Sequence, residues 1–90
     1  MKLLHTQVAA GPQYIVEVTL SRPNANVVLL DDANWWLYQR GQVYQPQAGG
    51  FFQVTNTVRL RAPFQFNWHL VVDLGGQPGD ITATYRVMMG

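Results

Sequence analysis

The sequence predicts an all-β protein, a small antiparallel β-sandwich of about six to eight strands with one short helical crossing near residues 32–40. Turn-forming glycine and proline residues recur at short intervals, and the segments between them are rich in β-branched and aromatic residues. Several of these segments alternate apolar and polar residues, as a strand with one buried face does. The length of 90 residues fits a single domain, 1–90.

The first half of the chain contains three predicted strands. Residues 2–8 suit an edge strand, and residues 14–21 alternate regularly between apolar and other side chains. A short turn then leads to residues 26–31, and placing Leu20 opposite Val27 joins the second and third strands as a hairpin.

The third predicted strand is apolar on both faces, because Val28 and Leu30 point away from the side that Val27 faces. A strand of this kind is central and covered, or it lies at an interface. A later strand adds Val71 at another outward position. We therefore expect Val28, Leu30 and Val71 to contact a second copy of the chain or another protein.

The second half of the chain predicts further strands. Residues 51–55 are one of them, and residues 57–62 alternate with their two arginines outward. Residues 66–88 are predicted to form a hairpin across a glycine-rich turn. Leu74 opposite Ile81 is the register that turns the apolar faces of both strands inward.

A cationic patch for phosphate or carboxylate is one interpretation of the outward positions, because this register sets a histidine beside an arginine. The four residues that would form the patch are Arg59, Arg61, His69 and Arg86. The alternative, which we favour, is an ordinary solvated sheet face with Asp73 and Glu17 as counter-charges.

The β pattern fails between residues 31 and 41, where the sequence reads DDANWWLYQRG. Asp31 or Asp32 suits the N-cap of a helix, and Gly41 suits the position just after its C-terminus. A short helix or compact loop that crosses one end of the sandwich is therefore predicted.

This segment is also the main candidate contact site. Its residues of interest are Asp31, Asp32, Trp35, Trp36, Tyr38 and Arg40. Helical spacing places Trp35 with Tyr38, and Trp36 with Arg40, so one tryptophan is expected to seal the core while the other stays at the surface. We interpret the segment first as a lid on the core, second as a surface for a protein partner, and third as a site for a saccharide or nucleotide.

The composition narrows the range of functions. Charged residues make up 12% of the chain, against about 25% in typical soluble domains. So few charges favour self-association or a protein partner, and a formal net charge of +1 gives no indication of nucleic acid or membrane binding. Cysteine is absent, no signal peptide or membrane span is recognised, and a cytoplasmic location is expected.

Catalysis is not expected from the residues that could support it. Asp31 and Asp32 are adjacent and would point to opposite faces of a strand. Ser21 is the only serine and lacks a nucleophile elbow, and His5 and His69 lack metal-ligand spacing. We therefore predict a protein that is not an enzyme, with no cofactor and no metal.

The order and spacing of several motifs resemble a family. These motifs are IVEVTLS (15–21), ANVVLLDDANWWLYQRG (25–41), the pair Gly49-Gly50, VRLRAP (58–63) and WHLVVDLGG (68–76). Together they resemble the bacterial family catalogued as domain of unknown function 1883. The resemblance implies a small antiparallel β-sandwich, found alone or attached to other modules such as TIR-type signalling domains, with no established activity. Relatives are rich in arginine and histidine where this chain has QVYQPQA (42–48), so an anion-binding role for that loop is not expected here.

The function predicted from the sequence is that of a non-catalytic binding or assembly module, which associates with itself or with a protein partner. The alternative is a domain that senses a small ligand through Trp35, Trp36, Tyr38 and Arg40.

Overall fold

A computed structural model describes residues 3–22, 24–52, 56–76 and 78–90, and within these ranges the chain forms seven β-strands and one α-helix. The elements are β1 (Leu3–Ala10), β2 (Tyr14–Leu20), β3 (Ala25–Leu30), α1 (Asp32–Gln39), β4 (Ala48–Phe52), β5 (Thr57–Leu60), β6 (Phe66–Asp73) and β7 (Ala83–Met89). The all-β class, the number of strands and the short helix are as predicted.

The strands form two antiparallel sheets that pack against each other around the main core. Sheet A has the order β1-β6-β3-β4, and sheet B has the order β5-β2-β7. Because side chains alternate along a strand, β2 buries Val16 and Val18 on one side of the core, and β6 buries Trp68 and Leu70 on the other. The indole N–H of Trp68 donates to the carbonyl of Ala10 at 3.1 Å, which satisfies the polar atom of the largest core side chain.

Both predicted hairpins are wrong. Strands β2 and β3 lie in different sheets, and so do β6 and β7, so neither Leu20 with Val27 nor Leu74 with Ile81 is a pair of strand neighbours. The connections after β2 and β6 cross from one sheet to the other instead of turning back within a sheet. Alternation shows which face of a strand is buried but does not identify its partner, and a short connection fits either arrangement.

The other predicted strands agree more closely with the structure. β1 lies at an edge of its sheet as predicted, and β5 turns Val58 and Leu60 toward the core. β4 begins before the predicted strand 51–55. Four parts of the predicted strands and turns lie outside the described residues: Lys2, Pro23, residues 53–55 and Gln77.

Helix α1 lies on the outer face of sheet A and not across one end of the sandwich, so its predicted position is wrong. The three outward residues predicted to form an interface, Val28, Leu30 and Val71, are buried. Trp35 and Tyr38 of the helix and Tyr44 of the following loop cover them. The sequence left open whether β3 is a central, covered strand or lies at an interface. The structure shows that β3 is central and that the chain's own helix covers it.

Strand β7 differs from the prediction in its burial. Tyr85 and Val87 lie in register with core residues of β2, yet they remain 43% and 40% exposed. The two sheets stay apart on this side and leave a cleft between β1 and β7. The side chains therefore face the interior as predicted, but the sandwich does not close over them.

Gly49 in β4 gives a test of the fold. Its φ of +94° is a conformation that side chains disfavour, and a Cβ there would overlap the carbonyl oxygen of Val27 in the neighbouring strand. We expect Gly49→Ala to lower the free energy of unfolding by about 2–3 kcal/mol in urea denaturation.

Gly50→Ala is the matched control, because a Cβ at Gly50 meets nothing within 4 Å. This change should leave stability unaltered or raise it by roughly 0.5 kcal/mol. Equal stability of the two variants would contradict the pairing of β3 with β4.

Candidate functional site

Helix α1 is fixed at both ends by the residues that the sequence indicated. The Oδ1 atom of Asp31 accepts from the backbone N–H of Asn34 at 2.9 Å, which makes Asp31 the N-cap. Gly41 follows the helix with a φ of +69°, and the N–H groups of Gly41 and Gln42 donate back to carbonyls of the last turn. This is the Schellman arrangement, and it aligns the aromatic side chains of a short helix on sheet A.

A row of hydrogen-bonded side chains joins β1, β6 and the start of α1. His5 Nε2 lies 2.9 Å from His69 Nδ1, and His69 Nε2 lies 2.7 Å from Asp32 Oδ1. The ring of Trp35 stacks on His5 with the centroids 3.9 Å apart and the planes 5° from parallel. Trp35 therefore holds the helix over two imidazoles as well as over the aliphatic cluster.

The protonation of this row follows from its acceptors. Ionised Asp32 can only accept, so neutral His69 carries its proton on Nε2 and accepts on Nδ1 from the Nε2–H of His5. The pair resembles the base and orienting carboxylate of a nucleophilic enzyme, but Asp32 is 75% exposed and Ser21 hydrogen-bonds to Thr82 at the end of β2 in the other sheet. The structure therefore does not bring the only serine to the histidines.

A second polar network surrounds Asp73, at the end of β6. The carboxylate is buried and accepts from the backbone N–H of Gly75 at 2.7 Å, from the hydroxyl of Tyr38 and from the amide of Asn26 at 3.4 Å. The Asn26 amide also donates to the hydroxyl of Tyr44 at 3.2 Å. Burial, and after it the hydrogen bond to Asp73, raises the pKa of Tyr38, so its hydroxyl remains a donor.

An open cleft of about 440 Å³ lies beside this network. Its lining comes from β3, the end of α1 and its loop, β4, and the end of β6: Asn26, Tyr38, Gly41, Gln42, Tyr44, Phe51, Asp73, Gly75 and Gly76. We refer to it as the Asp73 cleft. The rings of Tyr38 and Tyr44 meet in it at 72° with centroids 5.1 Å apart, so two aromatic surfaces form a corner near a buried carboxylate.

The predicted lid residues do not form one surface. Asp31 caps the helix, Asp32 bonds to His69, and Trp35 and Tyr38 face sheet A. Trp36 is 50% exposed, and the guanidinium of Arg40 lies 4.0 Å from the centre of its ring. Trp36 stays at the surface as expected, whereas Trp35 is half-buried and packs against the outer cluster and not the main core.

The predicted cationic patch is divided between the two sheets, so the pairing of His69 with Arg86 is wrong. His69 lies on the outer face of sheet A, whereas Arg86 and Arg59 lie on the outer face of sheet B, where both contact Glu17. The Glu17 oxygens lie 3.0 Å from Arg59 and 2.9 Å from Arg86. Glu17 is thus the counter-charge that was expected on this face, while Asp73 lies on the other sheet.

Arg61, the remaining member of that patch, donates to the backbone carbonyl of Pro12. Within the described ranges, no group of three or more potential ligand side chains is arranged to hold a metal ion. In the same part of the chain, no helix has the length and hydrophobicity to cross a membrane.

The resemblance seen in the sequence motifs is confirmed by the comparison against protein families. A model described as "Domain of unknown function (DUF1883)" matches residues 1–89. The chain belongs to this family. No curated protein and no solved structure matches it.

Sequence reasoning missed how this DUF1883 domain assembles the Asp73 network. Asn26 and Asp73 are direct neighbours in the pairing of β3 with β6, and that pairing was not predicted from the sequence. Tyr44 lies in residues 42–48, for which no binding role was predicted from the sequence. The available signal was that Asn26 and Asp73 are polar residues on strands whose outward positions also carry apolar side chains, Val28 and Val71.

Acidification should weaken the DUF1883 domain through His5. Burial, and after it repulsion from His69, lowers the pKa of His5 below its ordinary value. The unfolded chain then binds a proton at His5 more readily than the folded chain does. The contribution of His5 to stability is therefore complete above a pH of about 6.5, and it falls as the pH drops toward the lowered pKa. Urea denaturation at about pH 7.5 and about pH 5.5 should show a larger loss for the wild type than for His5→Gln.

Asp32 and His69 are present in both of these proteins, which differ only at His5. An identical pH dependence for the wild type and His5→Gln would contradict the assignment.

Removal of a hydroxyl should test the Asp73 network. Tyr38→Phe deletes a donor to a buried carboxylate and should cost about 1–3 kcal/mol of stability. Tyr44→Phe removes only an acceptor for a neutral amide and should cost about 0.5–1.5 kcal/mol. Thermal or urea unfolding gives both values, and a larger loss in Tyr44→Phe would reverse the roles we assign.

Proposed function

We propose that this DUF1883 domain is a non-catalytic assembly module that associates with a second copy of itself through the open side of the sandwich. The observation that supports this proposal is the exposure of Tyr85 and Val87, two core-facing side chains of β7. Side chains that face the interior of a sandwich are ordinarily covered by the opposite sheet. Here part of the core is left for another chain to complete.

The open side is also a groove with an apolar lining. The cleft there measures about 250 Å³, and its walls include Leu4 and Thr6 from β1 and Ala83 and Tyr85 from β7. Its floor is formed by side chains of the main core such as Leu70. Exposed apolar surface that continues into the core favours association over solvation.

Strand β7 is the less protected edge of sheet B. β5, at the other edge of the same sheet, is short and carries Arg59. β7 has seven residues, and its arginine, Arg86, is tied back to Glu17. Long apolar edges without such protection pair readily with another strand.

A second copy is the partner that these features favour. Two β7 strands paired antiparallel across a twofold axis would join the three-stranded sheets B of both copies into one continuous sheet. Tyr85 and Val87 of each copy would then lie beside those of the other. The low charge of the chain, 12% of residues, reduces the electrostatic cost of such contact.

The non-catalytic part of the proposal is supported by what four of the five carboxylates do. Glu17 bonds two arginines, Asp31 caps the helix, Asp32 bonds His69, and Asp73 accepts from three neutral donors. Each has a structural role that accounts for its position. A general acid or base instead needs to reach a substrate.

Sedimentation velocity at micromolar concentrations tests the assembly. The wild-type protein should show a dimer that dissociates on dilution, and Val87→Lys should shift it to monomer, because a charge on this edge opposes strand pairing. Val43→Lys is the matched control, since Val43 is 91% exposed in the loop after the helix and should leave the dimer intact.

Circular dichroism of both variants establishes that they fold. A wild-type protein that stays monomeric at high micromolar concentration would refute self-association, and so would a dimer unaffected by Val87→Lys in folded protein.

A second candidate, sensing of a saccharide or nucleotide by the helix segment, has narrower support. Trp35 and Tyr38 already pack against sheet A, so Trp36 with Arg40 is the part of the segment that presents an aromatic face to solvent. Tryptophan fluorescence titrated with sugars and nucleotides should change in the wild type and not in Trp36→Ala if this function is present.

A further inference from the structure

We propose that the Asp73 cleft is a binding site for a small organic cation, specifically an alkylated ammonium group. The proposal goes beyond assembly through β7, and the two sites lie in different parts of the fold. It rests on the aromatic walls of the cleft, the buried charge beside them and the way in which that charge is already hydrogen-bonded.

Aromatic rings form the walls. Tyr38 and Tyr44 meet at 72° and make a corner, and Phe51 of β4 contributes a third ring that leans on the backbone near Gly75. Each ring has a negative electrostatic potential on its face, which attracts a cation placed within about 6 Å. The hydroxyl of Tyr38 donates to Asp73, which increases the electron density of that ring.

No cationic side chain in the described ranges pairs with the carboxylate that faces this corner. Asp73 is 4% exposed, and none of the ion pairs formed between described residues includes it. Its partners are the neutral donors Tyr38, Asn26 and Gly75. A buried carboxylate whose described partners are all neutral favours a cationic ligand, since the attraction is strong where water is scarce.

The hydrogen bonds select the kind of cation. The Asp73 oxygens already accept three bonds, so they offer little to a ligand that brings several N–H donors. An alkylated ammonium needs no hydrogen bond, and its methyl groups pack well against aromatic faces. Anions are repelled by the carboxylate, and a metal ion would require more oxygen ligands than one carboxylate supplies.

The ammonium group could belong to a free small molecule or to a methylated lysine side chain, and the cleft of about 440 Å³ accommodates either head group. Titration of the full chain with choline and with a short trimethyllysine peptide distinguishes the two sources. Binding is followed by the amide NMR signals of Gly75 and Gly76 at the rim of the cleft. Tighter binding of one probe identifies the source.

The neutral carbon isostere of choline, 3,3-dimethylbutan-1-ol, is the control ligand. We expect it to bind at least about tenfold more weakly than choline, because it has the same shape without the charge. Phe51→Ala should weaken choline binding at least about fivefold. Phe64→Ala removes another exposed phenylalanine, 48% exposed against 44% for Phe51, and should leave affinity unchanged.

Asp73→Asn removes the charge of the carboxylate and should also weaken choline binding. If Asp73→Asn fails to fold, Phe51→Ala still tests the proposal. Equal binding of choline and its isostere would overturn the proposal. So would unchanged affinity in folded Phe51→Ala, or the absence of shifts at Gly75 and Gly76 with both ammonium probes. A monomeric wild-type protein that still binds choline would refute the assembly proposal alone.

Discussion

The pairing of β3 with β6 carries apolar side chains on both faces of sheet A, and the other layers are arranged around it. Val27 and Val72 face sheet B, while Val28 and Val71 face the opposite way. Each such side chain contributes about 1.5–3 kcal/mol when it is buried. Both faces therefore need a cover, and the chain provides sheet B for one and helix α1 for the other.

The two sheets are covered differently because their outer faces differ in chemistry. The outer face of sheet B carries Glu17 between two arginines, whose exposed side chains cover the carboxylate and remain in contact with water. The outer face of sheet A combines aliphatic residues with His69 and Asp73, and these polar groups could not be buried without partners. Helix α1 and its loop bring both the apolar cover and those partners, Asp32 for His69 and Tyr38 for Asp73.

The sequence was informative wherever the structure depends on local chemistry. The alternation of apolar and polar residues predicted the buried faces of β2, β5 and β6. The cap residues Asp31 and Gly41 predicted the bounds of the helix, to within one residue at its C-terminal end. The strand partners could not be obtained in this way. Whether the chain turns back after Leu20 or crosses to the other sheet depends on long-range packing that no local pattern encodes. Placement of the helix and of the Asp73 network failed for the same reason, since both depend on the pairing of β3 with β6.

The polar contacts beneath α1 fix the position of the helix on sheet A, and with it the shape of the Asp73 cleft. An apolar cover alone would not do so. Aliphatic packing is non-directional, so it would hold a short helix on sheet A without fixing its position along the strands. The hydrogen bonds of Tyr38 to Asp73 and of Asp32 to His69 are directional, and they tie the two ends of the helix to one strand. Asn26 then ties Tyr44 to the same carboxylate group. The rings that line the cleft are thus held in place by the groups that satisfy the buried charge, and a shift of the helix would remove both together.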